Sequence, residues 1–195
     1  MSFSPEFTFY PLSPQRWLDL EALFGERGAV GGCWCMWWRL KRSEFNQQKG
    51  SLNRQAFKDI VYSGASTGIL AYAGEQPAGW CALAPRDAYP ALERSRVLKR
   101  VDDQPVWSVT CFFIAKPFRR KGLTVQLLRE AVGYARSQGA SILEGYPEDP
   151  GDSNQPPPFV FTGLASAFKK AGFVEVLRRS KKRPIMRYYL EEKES

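Results

Sequence analysis

Apolar and polar residues alternate over 6–12 (EFTFYPL), which predicts a first strand, and Pro11 and Pro14 then turn the chain into a helix expected over 15–24. Gly25, Gly28, Gly31 and Gly32 loosen the next stretch, which leads into the aromatic run CWCMWWRL at 33–40. A polar segment follows, then an amphipathic helix expected over 53–62 with Asn53 as its N-cap. Two short apolar runs at 68–73 and 78–84 flank Gly-Glu-Gln-Pro, the signature of a hairpin. The charged stretch 86–103 is expected to hold a short helix, and the apolar run VWSVTCFFIA at 106–115 reads as another strand.

Beyond Pro117 the sequence FRRKG opens a helix in which Leu123, Leu127, Leu128, Ala131, Val132 and Ala135 recur on one face and which Gly139 ends. A strand (SILEGYP), a loop containing the prolines 156–158, and a short helix capped by Gly172 come next. Two final strands are expected near 173–178 and 185–190. This order predicts an α/β or α+β fold, a sheet with helices packed on it, formed as one domain over residues 1–195.

Composition narrows the chemistry. A hydrophobic fraction of 44% and a charged fraction of 25% suit a globular protein, and no stretch reaches the length of a membrane span, so a cytoplasmic location is expected. The net charge of +8 predicts an affinity for anions, among them phosphorylated cofactors, acidic substrates and nucleic acids. The absence of histidine excludes Ser-His-Asp and Cys-His nucleophilic systems and any histidine-containing metal site. Cys33-x-Cys35 lacks the further ligands that a tetrahedral zinc requires, and all four cysteines read as reduced, packed thiols, so no metal is expected.

The segment 106–138 carries the strongest signal. An apolar strand, the turn PFRRKGLT and a helix place Arg119, Arg120, Lys121 and the N–H groups of Gly122, Leu123 and Thr124 around one helix N-terminus. Such an end attracts anions through unpaired donors and a positive macrodipole.

This turn resembles that of the GCN5-related N-acetyltransferases (GNAT), which reads Arg or Gln, two variable residues, Gly, a variable residue, then Gly or Ala. The match departs at Thr124, whose extra bulk either crowds a pyrophosphate or offers it a hydroxyl. The order of elements from about residue 67 to 190 is also similar to that family. The resemblance implies a mixed, mostly antiparallel sheet flanked by helices, with a splayed strand holding acetyl-CoA. Phe112, Phe113 and Ile114 would then hold the pantetheine arm by their main chain, with Ile114 N–H polarising the thioester, and Arg119 to Thr124 would hold the pyrophosphate.

It further implies acetyl transfer to a primary amine of a small molecule or peptide by direct attack, with a homodimer compatible with the chain. Glu144, at the end of the strand after the cofactor helix, is the candidate base, and Tyr146 is a second polar group at that strand end. The family's acid is a tyrosine, but Phe168 stands at that position, leaving Ser166, Thr162, Tyr146 or water to reprotonate the thiolate. Trp34, Trp37, Trp38 and Arg39 are candidates for the acceptor pocket, the alternative being that the tryptophans fill the core. A binding domain that senses acyl-CoA without turnover, and a nucleic-acid-binding protein using the basic run 178–183, remain as alternatives, the latter ranked below the enzyme.

Overall fold

The computed structural model describes residues 6–151 and 160–190. The proline-rich segment 156–158 lies outside them. Seven strands form one sheet: β1 (Phe7–Pro11), β2 (Gly68–Ala73), β3 (Gln76–Pro85), β4 (Trp107–Ile114), β5 (Ile142–Gly145), β6 (Val174–Arg178) and β7 (Pro184–Tyr189). Their order is β1-β2-β3-β4-β5-β7-β6, and every pairing is antiparallel except that of β4 with β5. The expected mixed, mostly antiparallel sheet is therefore present.

Side chains on alternate residues of a strand point to opposite faces, and here both faces are covered. Ile69, Ala71 and Leu83 face the long helix α4 (Leu123–Ser137), which contributes Leu127, Leu128 and Ala131 to the same core. Leu70, Trp80 and Ala82 face the other way, into a core with Trp17 and Leu20 of α1 (Trp17–Phe24). Helix α5 (Ala165–Lys170) lies on the α4 side, where Phe168 is fully buried against Phe112 and Phe173.

Two expectations are corrected. The helix expected over 53–62 is α3 (Ser51–Tyr62), but the polar segment before it carries a further helix, α2 (Arg42–Gln48). Asn53 is inside the first turn of α3 rather than capping it, fully buried, and donates Nδ2–H to the carbonyl of Gly32 at 3.1 Å. The N-cap is Gly50, whose φ of 87° no β-carbon-bearing residue adopts without strain. The charged stretch 86–103 forms only a 3₁₀ turn at Arg86–Ala88 and further turns, through which Tyr89, Leu92 and Leu98 cover the end of the sheet beside Tyr146 and Ile185.

The basic run is spent internally. Arg178 pairs with Asp149 and Glu175, Arg183 pairs with Glu148, and Arg179 donates to the carbonyls of Val97, Lys99 and Arg100. Only Lys181 and Lys182 of that run stand exposed.

Candidate active site

Strands β4 and β5 pair only from Trp107 to Val109 against Leu143 to Gly145. Just beyond this, Ala82 pairs with Cys111 but Leu83 with Val109, so Thr110 is an extra, bulged residue. β5 ends at Gly145, where a β-carbon would meet the ring of Phe168 at 2.1 Å. The ring thus occupies the space where the strands part, and β4 continues to Ile114 without a strand on that side.

Backbone direction in the parted segment follows from the register. Ala115 N–H donates to Ala78 on β3 at 3.0 Å, whereas Phe112 N–H donates away from β3, to the carbonyl of Phe161 at 2.6 Å. Alternation then turns Ile114 N–H to the open side as well, where it has no partner among the described residues. The carbonyl of Ile114 accepts from Nε of Arg119 at 2.9 Å, which ties the following turn to the strand. Of the three residues expected to hold an arm by their main chain, Phe113 faces β3, Phe112 is engaged by Phe161, and Ile114 is open.

The turn itself has the form of an anion cradle. Phe118 anchors it by packing edge-on against Phe7, with ring centroids 6.0 Å apart. Arg120 and Gly122 have φ values of 61° and 75°, and α4 starts at Leu123. The first helical bonds run from Val125 and Gln126 to the carbonyl of Gly122, so the consecutive N–H groups of Arg120 to Thr124 make no backbone bond among the described residues. Alternating left-handed residues point successive amides into one concavity, at the positive end of a fifteen-residue helix. Leu123 is buried, its side chain packing towards Gly79, so it contributes only its amide. Arg119, Arg120 and Lys121 are exposed around the rim. A pyrophosphate fits this donor set.

Glu144 is in a different environment from the one expected. It is 1% exposed, and its Oε1 accepts from Arg86 Nη1 at 3.0 Å and from Tyr146 Oη at 2.8 Å, while Oε2 accepts from Arg187 Nε at 2.7 Å. Arg187 also makes a bidentate contact with Asp102 at 2.7 and 3.0 Å, and Arg86 bonds Glu93 and the carbonyl of Leu98. Both oxygens of this carboxylate are thus engaged by charge-assisted hydrogen bonds within the protein. Tyr146 is fully buried, hydrogen-bonded to Ser108 at 2.8 Å, and its phenol is pushed well above its ordinary pKa by burial and then by Glu144. Glu144 and Tyr146 belong to one buried network of ion pairs and hydrogen bonds. Ser166 is exposed on α5, and Thr162 is buried with a hydroxyl that has no partner among the described residues.

The aromatic run is divided between core and cavity. Trp34 is 4% exposed and stacks on Trp17, because Trp34 and Cys35 take φ values of 43° and 57° and turn the indole inward, onto the face of Gly28. Trp38 donates Nε1–H to the carbonyl of the bulged Thr110 at 3.2 Å, and Arg39 stacks over Tyr89 at 4.6 Å. Only Trp37 of the four lines a cavity, of about 220 Å³, with walls from Phe24, Phe45, Phe112, Phe113 and Phe161. Ala29, Val30, Gly31 and the thiols of Cys33, Cys35 and Cys111 complete the apolar wall, and Lys49 is its one charged residue. Phe45, alone in its polar run, is a wall residue that the reading of the sequence missed.

Cys33 and Cys111 are not activated, the second being raised by its hydrogen bond to Cys35 and then by burial. Burial, and next the neighbouring Cys35, pushes Cys33 up to about 12, and burial also raises Cys81. A thiol reagent at pH 7.5 is therefore expected to label the folded protein far more slowly than the urea-unfolded chain, in which thiols return to about 8.5. Rapid stoichiometric labelling of the folded protein at Cys33, read by mass spectrometry, is the outcome that contradicts this. Among the described residues no group of side chains is placed to hold a metal ion.

The sequence matches the acetyltransferase (GNAT) family over residues 34–151. No curated protein matches it. Among solved structures, a GNAT-family acetyltransferase from Listeria monocytogenes superposes with a TM-score of 0.58 at 10% identity, covering 97% of this chain and 98% of that one. YncA of Salmonella typhimurium, solved with its cofactor acetyl-CoA, gives 0.53 at 10% identity over 97% and 96% of the two chains. PaiA N-acetyltransferase from Thermoplasma acidophilum, in complex with coenzyme A, gives 0.52 at 16% identity over 94% and 99%. At these identities the likeness is one of fold.

Proposed function

Because the chain belongs to the GNAT acetyltransferase family, we propose that it moves an acetyl group from acetyl-CoA to a primary amine of a small molecule or peptide by direct attack. The observation that carries this reading is the pairing of an amide cradle at Arg120 to Thr124 with a parted strand that presents Ile114 N–H, five residues before the tethering Arg119. Acetyl-CoA, when bound, supplies the acetyl group as a thioester. The cradle and its cationic rim bind the pyrophosphate. Ile114 N–H is placed to polarise the carbonyl, which is where negative charge develops during acyl transfer. The cavity beside Phe112 and Phe113 receives the acceptor and excludes water from it.

The network around Glu144 and the phenyl ring of Phe168 leave no committed side-chain base or acid among the described residues of this site, and that observation favours a second reading, a domain that binds acyl-CoA and senses it without turnover. One pair of measurements separates the two. Acetyl-CoA at about a hundred times its Kd is expected to stabilise the fold by about 2.7 kcal/mol, seen as a higher Tm. An acetyltransferase also releases free coenzyme A thiol when amines are supplied. Binding without release selects the sensor, and an unchanged Tm at millimolar acetyl-CoA removes both.

A further inference from the structure

We propose that the acceptor is an arylamine, a primary amine attached directly to an aromatic ring that is otherwise neutral or anionic. This rests on the acetyltransferase reading above and specifies its substrate class. Three observations lead to it.

The first is the wall of the cavity. Phe24, Trp37, Phe45, Phe112, Phe113 and Phe161 surround about 220 Å³ directly beside the parted stretch of β4. An apolar cavity of about 150 Å³ already holds benzene, so this one has room for a single substituted ring. The ring edges and faces presented there suit an aromatic body, which packs against them in edge-to-face geometry of the kind Trp37 and Phe45 already adopt at 5.0 Å.

The second is charge. Among the described residues no carboxylate lines the cavity, and the one charged side chain there is Lys49. The guanidinium of Arg42 lies over the ring of Trp37, 4.0 Å from its centroid, adding a second cation at the same wall. A polyamine or a lysine-bearing peptide would bring like charge to this mouth and would have to desolvate an ammonium with nothing to pair it. A ring carboxylate, in contrast, would meet Lys49 favourably.

The third is the state of Glu144, the carboxylate on β5 beside the parted strands. Glu144 is held by Arg86 and Arg187, and among the described residues no carboxylate lines the cavity where an ammonium would need a base. An arylamine is neutral at pH 7 and needs none. Its nitrogen bonds to the acetyl carbon, the carbon–sulfur bond breaks, and the proton that the nitrogen releases goes to the thiolate, directly or through one water, so that no side chain gains or loses a proton over the cycle. The missing base and the missing tyrosine are then features of a site suited to a weakly basic nucleophile.

The test supplies acetyl-CoA with 4-aminobenzoate, 4-methoxyaniline, phenethylamine, spermidine and a lysine-containing peptide, and reads thiol release. The expected result is a kcat/KM for the two arylamines at least roughly tenfold above that for spermidine or the peptide. In the protein without acetyl-CoA, 4-methoxyaniline is expected to quench tryptophan fluorescence saturably through Trp37. Trp37→Ala is expected to abolish that quenching and to lower kcat/KM for arylamines by roughly tenfold while the Kd for acetyl-CoA is kept. Should that variant fold poorly, Val30→Trp fills the cavity from an exposed position on its wall and is expected to have the same effect on arylamine turnover. Faster acetylation of spermidine, the peptide or phenethylamine than of either arylamine overturns the proposal while leaving the acetyltransferase reading intact, and so does turnover unchanged in a well-folded Val30→Trp protein. Acetyl-CoA binding without thiol release from any amine also overturns it, in favour of the sensor. Failure to bind acetyl-CoA overturns the proposal and the reading beneath it together.

Discussion

Glu144→Ala is expected to lower the stability of the fold by about 3–5 kcal/mol, the cost typical of removing one partner from a buried ion pair. The carboxylate lies between Arg86, 5% exposed, and Arg187, 3% exposed. Its loss leaves two guanidinium groups turned into the sheet end with only Glu93 and Asp102 at their outer sides, and both of those acids are themselves partly exposed. The phenol of Tyr146 loses the acceptor of its proton in the same step. A domain has a total of only about 5–15 kcal/mol, so the change is a large part of the whole. Urea unfolding followed by tryptophan fluorescence measures it. Glu144→Gln keeps the volume and one hydrogen-bonding oxygen, and it is expected to lose less. The informative reading is turnover per folded molecule: a structural Glu144 leaves kcat of the folded Glu144→Gln protein within a few-fold, whereas a general base at this position loses on the order of 10²–10⁴. The second outcome would return Glu144 to the catalytic role expected of it from its place at the strand end.

The strand-turn-helix unit was legible because its signals are local. The apolar run 106–115, the basic glycine turn and the one-sided leucines of the next helix correspond to Trp107–Ile114, the cradle and Leu123–Ser137. What the sequence conceals depends on distant partners or on unusual backbone. Glu144 interacts with residues 58 and 43 positions away, and nothing in ILEG indicates two arginines. Trp34 and Trp37 read alike, yet left-handed conformations at Trp34 and Cys35, which no spacing rule anticipates in residues with a β-carbon, send one into the core and leave the other at the cavity. Helix α2 has one buried apolar residue, Phe45, and so shows no period to read. In the stretch 86–103 the buried Tyr89 and Leu92 are three apart, as in a helix, but Leu98 is six further on and off that face, and Pro90 supplies no N–H to a helical ladder, so the chain settles into turns instead. The basic run 178–183 advertises an anion surface, and only the tertiary structure reveals how much of it is internally paired.

Reversing charge at the cradle by Arg119→Glu with Arg120→Glu is expected to raise the Kd for acetyl-CoA on the order of a hundredfold. A charge-assisted hydrogen bond contributes about 1.5–3 kcal/mol and a tenfold change in Kd is about 1.4 kcal/mol, and the exposure of both arginines places each near the lower end. The two positions act differently. Arg120 adds charge at the rim, so its reversal is expected to weaken as salt rises and screening shortens the reach of its field. Arg119 also fastens the turn to the strand through its Nε bond to the Ile114 carbonyl, so its reversal loosens the geometry that sets the cradle against Ile114 N–H. Part of its effect is therefore expected to survive high salt. Titration calorimetry of the two single variants at low and high salt separates these contributions. Lys181→Glu with Lys182→Glu, two exposed cations at the turn after β6, changes net charge by the same amount away from the cradle and is expected to leave Kd within a few-fold. If that pair lowers affinity as much as the arginine pair does, attraction by the whole charged surface accounts for binding and the cradle is not the phosphate site. If the arginine pair leaves affinity unchanged, the pyrophosphate lies elsewhere.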